Sequence, residues 1–188
     1  MYALVVNNSI TRVFPGPKGF EHNGNQYSPD IFYKWSKAEK EAIGLYEVTT
    51  DSTNYKDTKW YINTNESFAF ANNTVTRSWG TATAKKHADT LWTSQDKTDG
   101  KIPEGKDVGD VAVEGLKTQL IRTIKQQAAG ILQDTDWYIV RKADAGTAVP
   151  SSITTHRAAV RTKAAEMETA ITNASDTPAL ETLYTYTE

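Results

Sequence analysis

The stretch Gly100-Lys-Ile-Pro-Glu-Gly105-Lys106-Asp107 comes nearest to a phosphate-cradling loop. Such a loop needs Ser or Thr after its lysine to hold magnesium, and an apolar strand leading into it. Here Asp107 follows the lysine and repels phosphate, and no apolar strand precedes Thr98-Asp99. The same stretch fails as a calcium loop. With Gly100 at the turn position, the first, third and last ligand places hold Gln95, Lys97 and Lys106, which build no anionic oxygen cage. His22, His87 and His156 lie far apart, and none stands at a helical two-ligand spacing from another ligand. Lys86 before His87 and Arg157 after His156 oppose a bound cation, so these read as ordinary polar-face histidines. No Gly-x-Ser-x-Gly elbow occurs, and no cysteine is present, which removes thiol nucleophiles, disulfides and cysteine-ligated zinc together. Paired carboxylates for glycoside cleavage are set by three-dimensional spacing, and no particular pair stands out. The expectation is a non-enzymatic protein with no metal and no cofactor.

Five tryptophans remain as candidate contact residues. Trp60, Trp79 and Trp92 fall in one Thr-rich segment and form a possible aromatic surface for a sugar or a protein, because indole offers large flat area with one donor. Core packing is the competing account in a chain poor in long aliphatics. Lys85-Lys86 and the pair Arg157 and Arg161 are too few for a nucleic-acid stripe. The balance of 21 Lys+Arg against 23 Asp+Glu, a net charge of -2, points the same way. No apolar run approaches the roughly 20 residues of a membrane span, and Met1 to Asn7 lacks the features of a signal peptide, so the reading is no nucleic acid, no membrane and synthesis in the cytosol.

The elements that would carry these residues are legible from periodicity. Leu4 to Phe14 reads as two β runs around Asn7-Asn8-Ser9, and Asn23-Gly24 as another tight turn. Ser36 with Glu39 three residues on is a capping box opening a short helix, which Gly44 closes before a strand at Leu45 to Val48. Residues 49–98 hold 12 of the 26 threonines and three tryptophans. Lys59 to Ile62, Ser67 to Phe70 and Thr74 to Trp79 are strand candidates there, with Asn72-Asn73 as a hairpin turn. Asp96 to Asp107 is polar and aperiodic and reads as a linker. Beyond it, Leu116, Leu120, Ile124, Ala128 and Ile131 define one face of a helix of about twenty residues. After an irregular stretch from Asp134 to Pro150, Ser151 or Ser152 caps a second helix carrying Ile153, Val160, Ala164, Met167 and Ile171. Pro178 opens a last short turn ending near Tyr184 and Tyr186.

The fold expected is therefore α+β: a small β-rich N-terminal domain with one short helix over residues 1–50, a Thr-rich antiparallel β ribbon over 51–98, a linker over 99–110 and an antiparallel helical hairpin over 111–188. In that hairpin Trp137 folds back onto Leu132 and Val160, while Arg157 and Arg161, one turn apart, reach Asp134 or Asp136.

Ile131-Leu-Gln-Asp-Thr-Asp-Trp137, then Arg141-Lys-Ala-Asp144, Pro150 and His156-Arg-Ala-Ala-Val-Arg161, resembles the C-terminal domain of bacteriophage tail assembly chaperones and tail-fibre assembly proteins. The likeness covers about residues 114–174, with His156 where that family usually has Tyr. Ile10 to Phe14 and Tyr27 to Tyr46 resemble the small N-terminal domain of phage tail accessory proteins. The resemblance implies a tail protein that binds tail-fibre or baseplate polypeptides, as a structural connector in the virion tail or as a transient assembly chaperone in the host cytoplasm. A homo-oligomer is possible in either case. It makes Trp137, Asp136, Arg157 and Arg161 the partner-binding or hairpin-bracing residues. The rival reading is a carbohydrate-binding tail protein using Trp60, Trp79 and Trp92.

Overall fold

The computed structural model describes residues 1–185; of the terminal residues singled out above, Tyr186 lies outside this range. The chain is mixed α and β and forms two compact units, Met1–Thr83 and a second beginning at Ala84.

The first unit runs β1 (Tyr2–Val6), β2 (Ser9–Phe14), β3 (Phe20–His22), β4 (Asn25–Tyr27), α1 (Ile31–Lys34), α2 (Lys37–Ala42), β5 (Leu45–Thr50), β6 (Tyr61–Ile62), β7 (Ser67–Ala71) and β8 (Thr74–Ser78). Three hairpins turn on two residues each, Asn7-Asn8, Asn23-Gly24 and Asn72-Asn73, all six with φ between 49° and 76°. Asparagine and glycine tolerate that left-handed backbone, and its twist matches that of the flanking strands. Ser36 and Glu39 form the capping box of α2, each side chain bonding the other's backbone N–H. Gly44, at φ 80°, follows at once, and a Cβ there would collide with the Val5 carbonyl oxygen. Val5 in turn donates its N–H to the Gly44 carbonyl at 2.8 Å, so the tight approach locks helix end to strand.

A five-stranded sheet in the order β2-β1-β5-β8-β7 curls so that β2 and β7 approach each other. β1 is antiparallel to β2 and to β5, and β7 to β8, but β5 and β8 are parallel, with Val48 opposite Val75. Residues 51–83 are therefore not a ribbon separate from residues 1–50. Their hairpin completes the same sheet, a long-range pairing that carries no local signal because only parallel strands tolerate so long a connection. One face packs Leu4, Phe14 and Leu45 against Phe20, Ile31 and Phe32. Aromatic edges hold it together, with Tyr2 and Phe14 centroids 5.1 and 5.6 Å from Phe32. The other face gathers Ala3, Val5 and Val75 with the partly buried Tyr46, Phe68 and Phe70.

At the junction, β9 (Thr83–Ala84) forms a two-stranded ladder with β6. The second unit continues through β10 (Thr90–Leu91), α3 (Ser94–Thr98), β11 (Val111–Val113), α4 (Leu116–Gln133), α5 (Asp136–Ala145), α6 (Ser151–Asn173) and α7 (Thr177–Thr182). The expected linker at 99–110 is instead the loop between α3 and β11, inside this unit. Its polar composition is used internally: Lys97 pairs with Asp107 at 2.9 Å, Lys101 with Asp99 at 2.7 Å, and Trp92 exchanges backbone bonds with Gly109 and Asp110.

Helices α4 and α6 run antiparallel. Lys117 Nζ donates to the Thr172 carbonyl at 2.6 Å, Lys125 pairs with Glu168 at 3.2 Å, and Arg157 meets the Leu132 carbonyl at 2.8 Å. Leu116, Leu120, Ile124 and Ala128 are buried on one helix, and Val160, Ala164, Met167 and Ile171 on the other. These are the positions the four- and three-residue spacing selects, apart from the partly buried Ile131 and Ile153. Neither Ser151 nor Ser152 caps α6; its N-cap is Pro150. The start of α4 is capped from a distance: Asp89 accepts the Gly115 N–H at 2.6 Å and the Thr118 hydroxyl at 2.9 Å, while the Lys86 and His87 carbonyls accept the N–H groups of Leu116 and Lys117.

Candidate partner-binding site

The turn from α4 into α5 is built around one cation. Arg157 is 6% exposed and enters from α6. Its guanidinium donates to the Leu132 carbonyl at 2.8 Å, to Thr135 Oγ1 at 2.6 Å and to Asp136 Oδ1 at 2.8 Å. The first bond satisfies a carbonyl that the end of α4 leaves without a helical partner. The third is a charge-assisted pair with one buried and one half-exposed member. Thr135 Oγ1 also donates to the Leu132 carbonyl at 2.9 Å, so three groups converge there. Arg161 does not join them: its side chain reaches only the Arg157 carbonyl, at 3.5 Å, and neither Asp134 nor Asp136.

This clasp sets the direction of α5, in the stretch expected to be irregular. The ten-residue helix ends at Gly146, in the left-handed conformation at φ 67°. None of its residues is buried. Trp137 is 50% exposed and Val140 66%, with Ile139 also open to solvent. Trp137 therefore does not fold back as a buried brace. Its ring lies against Tyr138, centroids 3.8 Å apart, and the Arg141 guanidinium sits 4.7 Å above it. Trp137, Val140, Arg141 and Asp144 recur at three, one and three, which places them on one helical face. A half-exposed tryptophan stacked with arginine beside open aliphatics has the composition of an interface anchor.

The three tryptophans of the Thr-rich segment do not share a surface role. Trp60 is 5% exposed and belongs to the core, so it is withdrawn as a contact residue. Trp79 is half-buried, with Tyr55 against its edge at 4.7 Å and Arg77 over its ring at 4.4 Å. Arg77 is held in place by Glu66 at 2.5 Å. Trp92, in the second unit, is half-buried beside the β10–β11 ladder. A planar platform needs open ring faces, and Trp79 has one covered by its own arginine.

Of the histidines, His87 bonds the buried Thr177 hydroxyl at 2.9 Å, tying the β9–β10 connection to the start of α7. Among the described residues no three His, Cys, Asp or Glu side chains gather as a metal site. No described helix is long and apolar enough to cross a membrane. The carboxylates held below their ordinary range are structural. Asp96 is lowered by the hydroxyl and N–H of Thr93, Asp99 by Lys101 and Gln95, and Asp107 by Lys97 and the Val108 N–H. Comparison of the chain with models of known families, with curated proteins and with solved structures found no match.

Proposed function

We propose that the protein is a non-enzymatic bacteriophage tail component that binds a tail-fibre or baseplate polypeptide through helix α5, and that it stays in the particle as a connector. The observation that carries the reading is that α5 is held by the Arg157 clasp yet buries none of its own residues, leaving Trp137, Ile139 and Val140 open. Monomeric soluble surfaces rarely keep contiguous apolar area without a partner for it. The likeness of residues 114–174 to phage tail assembly proteins supplies the class of partner, and α5 lies within that span. Arg157 and Asp136 act as positioning residues, and Trp137 with Arg141 as the anchor.

The same open helix suits a transient assembly chaperone, which would shield a client's apolar surface with its own. Quantitative mass spectrometry of purified phage particles separates the two. Stoichiometric presence is the expected result. Absence from particles, together with presence in infected cells, would replace the connector by the chaperone, and loss of client binding on Trp137→Ala tests α5 in either case.

A further inference from the structure

The ladder of β10 and β11 departs from the usual alternation. An antiparallel pair with one solvated face normally turns polar side chains outward. Here Leu91 lies opposite Val111, Val113 follows two residues on, and these three side chains share the outward face. Val113 is 64% exposed and Leu91 47%, while the half-buried Ala112 points the other way. The sheet has only these two strands, so β11 has an edge without a ladder partner, and that edge carries no charge, proline or bulge of its own to protect it.

We propose that this face and edge are a twofold contact between two copies of the chain, formed by antiparallel pairing of β11 with β11. A twofold interface must be self-complementary. Val111-Ala112-Val113 reads the same in both directions, so pairing about Ala112 sets Val111 opposite Val113 of the second copy and keeps all four valines on one face. The charges around it favour a like partner over an acidic or basic one. Lys97 is matched by Asp107, Lys101 by Asp99, and Arg122 by Glu114 at 2.6 Å, so the rim is neutralised within each copy. Pairing sets Asp110 opposite Glu114 of the second copy, but Glu114 is already bound to Arg122, and Asp110 turns its carboxylate back to the Asp107 N–H at 2.9 Å. Three paired residues and a few aliphatics make a small contact, so the association is weak and reversible. It is independent of the α5 reading.

The test is sedimentation equilibrium of the full chain from about 10 μM to about 1 mM, spanning the range of weak association. A monomer–dimer equilibrium is expected, weakened more than about tenfold by Val113→Lys, which adds two like charges to the contact. Val113 is exposed, so an unchanged thermal melt verifies that the variant is folded. The chain has no cysteine, so Ala112→Cys provides an independent readout: it should oxidise to a covalent dimer faster than Ser152→Cys on the exposed start of α6. A chain monomeric throughout would assign the face to a foreign polypeptide and overturn the proposal. So would a dimer indifferent to Val113→Lys, or equal crosslinking at positions 112 and 152.

Discussion

At the scale of single residues, Arg157 and Trp137 exchange the roles their types suggest. Arginine belongs on the surface and tryptophan in the core by composition alone, yet Arg157 is buried with three acceptors and Trp137 stands half in solvent. Arg157→Ala should lower stability by about 2 to 3 kcal/mol in urea unfolding, since it removes a buried donor set and leaves the Leu132 carbonyl without its cap. Arg157→Lys should rescue only part of that loss, because an ammonium lacks the planar fork that reaches Asp136 and Leu132 together. Trp137→Ala, by contrast, should cost less than about 1 kcal/mol, as a half-exposed side chain with local contacts. A loss above about 3 kcal/mol, the ordinary figure for a buried aromatic, would restore the bracing role that the sequence suggests for Trp137. The motif around residues 131–161 was legible in the sequence, including the pairing of Arg157 with Asp136. Which of its members faces outward was not, because one turn of helix separates Arg157 from Arg161 and only the crossing of α6 over the end of α4 chooses between them.

At the scale of elements, the start of α4 depends on a glycine for a steric reason. A Cβ at Gly115 would overlap the His87 carbonyl oxygen and the Ala88 backbone, which are the atoms seated against the helix end. Gly115→Ala should destabilise the second unit by about 2 to 4 kcal/mol, read as a shift in the helical melt followed by circular dichroism. The loop between α3 and β11 answers to pH. Asp96, Asp99 and Asp107 titrate below the ordinary aspartate value of 3.8 in the folded chain, through hydrogen bonds from Thr93, Lys101 and Lys97 first. A depressed folded value stabilises the fold above pH 3.8 and loses that contribution as pH falls through the depressed value. Amide hydrogen exchange around Asp96 and Asp107 should therefore accelerate on acidification below pH 3.8 before the α4–α6 pair opens, and uniform protection across both would contradict this. The hairpin turns were readable because asparagine at positive φ is a local property. The loop was misread as a linker because its ion pairs join residues up to ten positions apart, which composition does not reveal.

At the scale of the whole molecule, the division falls at Thr83 and Ala84, ahead of the polar segment that looks like a boundary. A fragment of residues 84–188 should retain the helical circular dichroism of α4 and α6 and melt cooperatively, since their buried stripes cover each other. A fragment of residues 1–50 should not fold, because β5 would lose β8 and the sheet its parallel pair. Sequence alone determined the mixed α and β class, the three asparagine turns, the capping box at Ser36 and the facing stripes of α4 and α6. Each of these follows from neighbours a few residues apart, where backbone sterics and helical period act directly. Tertiary structure decided that β8 joins β5, that residues 99–110 lie within the second unit, that Trp60 is core, and that α5 and the β11 edge are left open. Those outcomes depend on which distant segments meet and which surfaces remain after they have met, and no local pattern encodes that.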